Sequence, residues 1–116
     1  MKIGSMYICV RDMERAVRFY ESFFDRPVAE RDGIYSVFDI DGFRFGLFAY
    51  RKKRERHRFG TNCLPSVEVE SLEVLKSKTH GLKVRFPLTK IGKNWVTEIE
   101  DTEGNRIEVT APAVPV

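Results

Sequence analysis

The chain has no apolar run of about 18 residues, the length a membrane-crossing helix needs, and its opening Met-Lys-Ile-Gly-Ser lacks the apolar segment of a signal peptide. Its two cysteines, Cys9 and Cys63, are too few for a disulfide scaffold and do not stand in a CxxC spacing. Both read as small buried hydrophobes in a reducing compartment. Histidine is as scarce: His57 sits in a basic run and His80 beside Gly81. A protein of the cytoplasm is the expectation. Its 116 residues, 42% hydrophobic and 32% charged, suit one compact domain with a modest core, which a homodimer would supplement.

The net charge is +3, but residues 51 to 58 hold six basic residues and one acidic, a local +5 that leaves −2 for the rest. The basicity therefore belongs to one segment, which reads as a solvated loop. No aromatic residue interleaves it, so base stacking on nucleic acid is not indicated.

What the chain does have is a clear order of elements. Residues 3 to 24 read as a strand, with Ile8 and Val10, running into a helix capped by Asp12. Met13, Ala16, Val17, Tyr20 and Phe24 recur at helical spacing, while Glu14, Arg15, Arg18 and Glu21 form the wet side. Pro27 closes the helix, and residues 28 to 31 read as a short strand. Asp32-Gly33 and Asp41-Gly42 are hairpin signals around strands 35 to 40 and 43 to 50. The pattern then restarts: strand 61 to 69, helix 71 to 78 capped by Ser71 and ended by His80-Gly81, and strands 82 to 89, 94 to 100 and 105 to 110. Two such units, neither able to bury a face alone, are expected to pack together.

Val10-Arg-Asp-Met-Glu-Arg-Ala-Val-Arg-Phe-Tyr20 and Glu100-Asp-Thr-Glu-Gly-Asn-Arg-Ile-Glu-Val109 resemble the two signature stretches of the vicinal oxygen chelate superfamily. This group includes glyoxalase I, the extradiol dioxygenases and the bleomycin resistance proteins. Thr102 stands where the family usually has proline. The resemblance implies an α+β fold in which two paired βαβββ modules form a curved mixed sheet around a concave pocket, with helices on the outer face. Module one would be 1–50, the connector 51–60 and module two 61–116. Catalytic members hold a divalent metal in the pocket. The motifs place its four ligand positions at Ser5, near Leu47, near Asn62 and at Glu108, and only Glu108 is a ligand residue of the family type. Transition metals need about three or four converging N, S or carboxylate donors. No metal and no cofactor is therefore expected.

Strand alternation sorts the expected pocket lining. Arg106, Glu108 and Thr110 face inward, as do Ser5, Tyr7 and Cys9, then Phe43, Phe45 and Leu47, and Asn62, Leu64 and Ser66. Trp95 is a candidate for the pocket mouth or for the core, because Trp95, Val96 and Ile99 do not alternate simply. Ligand-binding residues are thus expected at Ser5, Tyr7, Cys9, Phe45, Leu47, Asn62, Leu64, Trp95, Arg106 and Glu108, with Arg106 anchoring an anionic handle or pairing with a carboxylate on its own face. The partner is a small organic molecule, an antibiotic or metabolite, with no membrane contact. Two alternatives remain open: an enzyme of the superfamily (lyase, isomerase or dioxygenase), or an interaction module that uses segment 51–58.

Overall fold

A computed structural model describes residues 4–53 and 64–113. The chain divides into two compact units, residues 1–58 and 59–116, and each carries one mixed sheet and one α-helix.

In the first unit strand β1 (Ser5–Cys9) leads into helix α1 (Met13–Phe24). The Asp12 side chain accepts from the Arg15 N–H at 3.0 Å and so answers one of the four unpaired donors of the first turn. The helix ends where Asp25 turns left-handed (φ 55°) and its N–H reaches back to the Glu21 and Ser22 carbonyls. Residues 28–31 do not form the expected strand. Only an isolated bridge between Glu30 and Val37 survives, with the Ala29 and Glu30 N–H groups donating to the Val37 carbonyl and the Val37 N–H to the Glu30 carbonyl. Strands β2 (Tyr35–Ile40) and β3 (Phe43–Phe48) form the hairpin, and the sheet order is β1-β3-β2, with β1 parallel to β3. Residues Tyr50–Lys53, expected as loop and strand end, make one turn of 3-10 helix.

The turn before β2 is held by Asp32, whose carboxylate accepts from the Ile34 and Tyr35 N–H groups at 2.9 and 3.2 Å. Those bonds favour the charged form and hold its pKa below the ordinary aspartate value, Ile34 first and Tyr35 second.

Helix α1 buries Met13, Ala16, Val17, Tyr20 and Phe23. Phe23 had no place in the predicted stripe; Phe24, which did, is half-buried and packs edge-on against Phe38 and Phe45, with ring centroids 5.6 and 5.4 Å away. Tyr20 lies 5.5 Å from Phe45. These rings are the core of the unit, and each fully buried side chain contributes roughly 1.5–3 kcal/mol.

In the second unit β4 (Ser66–Glu68) is followed by α2 (Leu72–Thr79), then β5 (Lys83–Ile91), β6 (Asn94–Glu100) and β7 (Arg106–Pro112), in the sheet order β4-β7-β6-β5. This is a complete βαβββ series. Ser71 caps α2 by accepting from the Val74 N–H at 3.2 Å, and Gly81 takes φ 77° just beyond its end. The β6–β7 turn is fastened by Asp101, which accepts from the Glu103 and Asn105 N–H groups, both at 2.8 Å. Thr102 thus lies in a turn held by the Asp101 side chain. Ile99, Ile107, Val109 and Ala111 are buried, and α2 lies against β7 with Leu75 in the core. Among the described residues no helix is long and apolar enough to cross a membrane.

Candidate functional site

The lining begins with which face each strand residue occupies. On β7 the burial alternates: Arg106, Glu108 and Thr110 are half-exposed, while Ile107, Val109 and Ala111 are buried. The register sets Ser66 and Glu98 opposite Glu108 on its two neighbouring strands, so the three share a face. The Glu108 N–H points to the Pro65 carbonyl at 2.9 Å, on the β4 side. Glu98 and Glu108 are therefore a narrow, non-hydrogen-bonded pair of the antiparallel ladder, where side chains come closest.

Two carboxylates in that position repel each other, and two neighbours answer them. The Ser66 hydroxyl donates to Glu108 Oε1 at 2.7 Å, and Arg106 lies 3.8 Å from Glu98 Oε1 as a loose ion pair with both residues half-buried. One guanidinium stands against two carboxylates, so this patch carries a net charge of about −1 at neutral pH. Further along the strand Glu100 is held by Arg85 at 3.1 Å and Lys83 at 3.5 Å. Glu98 was not foreseen, although the pairing of strand 94 to 100 with 106 to 112 was enough to find it. Trp95 pairs with the buried Ala111 and so lies on the opposite face from Glu108, not at a mouth lined by it.

In the first unit Ser5, Tyr7 and Cys9 pair with Arg44, Gly46 and Phe48. That overturns the facing expected for β3. Phe45 and Leu47 pair with Met6 and Ile8 on the α1 side; both are buried, and Phe45 packs against Tyr20 and Phe24. They are core residues. The sequence Phe-Arg-Phe-Gly-Leu-Phe has apolar residues on both faces, so alternation could not tell one from the other.

The face away from α1 instead gathers three rings. Tyr7 lies 5.9 Å from Tyr35 at 70° and 5.6 Å from Phe48 at 83°, and Tyr35 lies 6.4 Å from Phe48. Tyr7 is 55% exposed. Cys9 is on this face but buried, Ser5 is exposed, and Leu64 is half-buried ahead of β4 with no strand partner to set its facing. Asn62 and Cys63 lie outside the described residues.

Would these residues hold the family's metal? Ser5 offers a neutral hydroxyl, Leu47 is a hydrocarbon buried under a helix, and its neighbour Gly46 has no side chain. Asn62 offers only an amide, and Glu108 is already engaged by Ser66. Among the described residues no group of three or more His, Cys, Asp or Glu side chains converges, and no buried side-chain nitrogen or oxygen lacks a hydrogen-bond partner. Among the described residues the donor set does not fit a transition metal.

The sequence profile of the Glyoxalase/Bleomycin resistance protein/Dioxygenase superfamily matches residues 2–109. The chain belongs to that superfamily. No curated protein matches it in sequence. Its fold is similar to a glyoxalase/bleomycin resistance protein/dioxygenase family enzyme from Burkholderia phytofirmans PsJN (TM-score 0.80, 16% identity, 97% of this chain and 99% of that one). It is similar also to a glyoxalase-related enzyme from Fulvimarina pelagi (TM-score 0.79, 13% identity, 98% and 90%). A third likeness is to an Agrobacterium tumefaciens protein solved by NMR (TM-score 0.80, 16% identity, 98% and 99%).

Proposed function

We propose that this superfamily member binds a small organic molecule, an antibiotic or metabolite, without a transition metal, as a cytoplasmic homodimer. The observation that carries the reading is the donor set: three of the four positions that hold the metal in catalytic relatives are serine, leucine and asparagine. The polar patch of Ser66, Glu98, Arg106 and Glu108 suits hydrogen-bond donors on a ligand. With Arg106 facing Glu98, a ligand amine or hydroxyl is better matched there than a carboxylate, despite the basic net charge of the chain. Metal-free catalysis would need Cys9 as its nucleophile, and the burial of that residue removes it from a substrate's reach.

Native mass spectrometry of untagged protein tests the reading. The expected result is a dimer carrying an organic ligand below protein mass and no transition metal. A metal-loaded species with no capacity for organic ligands overturns it.

A further inference from the structure

Glycine in the middle of a strand weakens it and offers no side chain to pack. Gly46 sits mid-strand in β3, paired with Tyr7 on one side and Val37 on the other. A β-carbon there would overlap the Tyr35 hydroxyl oxygen and lie 2.5 Å from its ring carbon and 3.0 Å from the Tyr7 β-carbon. The missing side chain is thus the space into which the Tyr35 ring is laid. Laid there, Tyr35 meets Tyr7 at 70°, and Tyr7 stands almost perpendicular to Phe48. The three rings make a corner on the face away from α1, with Tyr7 left 55% exposed.

We infer that this corner, in which Gly46 makes the room that seats Tyr35, is a stacking site for a flat, uncharged aromatic ring, with Gly46 as its positioning residue; the inference rests on the small-molecule reading above and names the class of ligand. The occupant follows from geometry and charge. Aromatic rings attract one another face-offset or edge-to-face. A flat ring laid on one wall of a near-perpendicular corner meets the other wall edge-on, so both preferences are met at once. Aliphatic groups of the same size gain only burial. The charged strand residues on the same face, Arg44 and Asp39, are opposite in sign and stand across from each other on β3 and β2, and Arg44 is also paired with Glu30, so among the described residues of this face no unpaired guanidinium draws an anionic ring and no isolated carboxylate draws a cationic one.

The test uses full-length protein, quinoline as the flat probe, and cyclohexanol and tetramethylammonium as an aliphatic and a cationic control, read by aromatic NMR shifts. Quinoline should shift the Tyr7, Tyr35 and Phe48 ring signals saturably and bind more tightly than either control. Tyr7→Leu, at an exposed position, should lose about three- to tenfold in quinoline affinity. Gly46→Ala should lose as much; because its new β-carbon meets the Tyr7 β-carbon as well as the far end of Tyr35, its denaturation midpoint is measured beside its affinity, and Tyr7→Leu decides the matter where that midpoint falls. Equal binding of cyclohexanol, preference for tetramethylammonium, or an unchanged affinity in both variants overturns the inference. So do ring shifts that follow protein concentration without probe, which would make the corner a contact between copies. A co-purified ligand that moves Ser66, Glu98 and Glu108 signals but no ring signal sinks the corner alone. Absence of any small-molecule binding sinks the proposed function with it.

Discussion

Phe45→Ala separates a pocket residue from a core residue. Phe45 is 6% exposed and its ring lies 5.5 Å from Tyr20 and 5.4 Å from Phe24. Truncating a buried phenylalanine removes its transfer free energy and leaves a cavity, together about 3–5 kcal/mol. For a chain of this size the entropy of unfolding makes 1 kcal/mol worth ~4 °C, so the midpoint should fall by ~10–20 °C. The matched control is Tyr7→Ala: an exposed ring on the other face should cost ~1 kcal/mol or less. Urea denaturation followed by circular dichroism measures both, with the change read as a lower midpoint at constant slope. If Phe45→Ala costs no more than Tyr7→Ala, the register of β3 against β1 is wrong by one residue, and the three-ring corner goes with it.

Other expectations concern charge and the polar patch. Asp32 has a folded-state pKa below its unfolded value, so its contribution is present above the unfolded pKa and is lost as pH falls through the folded one. Asp32→Asn should therefore flatten the acid limb of the stability curve below about pH 4, and an acid limb identical to wild type would refute this. Arg106→Gln leaves Glu98 opposite Glu108 without its cationic neighbour and should destabilise by about 0.5–1 kcal/mol, more at low salt. Adding Glu98→Gln should recover most of that loss; a double mutant as weak as the sum of the two changes would show that the two side chains do not interact. Ser71→Ala should cost about 1 kcal/mol through the lost bond to the Val74 N–H, measurable by the same denaturation series.

Much of the fold was written in short-range signals. Asp12 and Ser71 marked helix starts because their side chains accept from the free N–H groups three residues on, and Asp101 to Gly104 marked a turn, which one carboxylate holds by bonding two backbone donors. The alternation on β7 was also plain, since its charged and apolar residues separate cleanly. The face of β3 was not legible, because Phe45, Leu47 and Phe48 are apolar whichever way the strand turns and only pairing with β1 decides. The strand expected at residues 28–31 depended on β propensity alone and shrank to one bridge. Glu98 and Gly46 were missed for a shared reason. Each acquires its role from a residue far away in sequence, Glu108 for one and Tyr35 for the other.

The central claim is that the chain keeps the architecture of its superfamily while its described residues offer no donor set able to grip a transition metal. Elemental analysis of untagged protein, purified from cells grown with added zinc, nickel and iron, tests it most directly. The prediction is a content far below one metal per chain for each element; a stoichiometric content that survives dialysis against a mild chelator contradicts it.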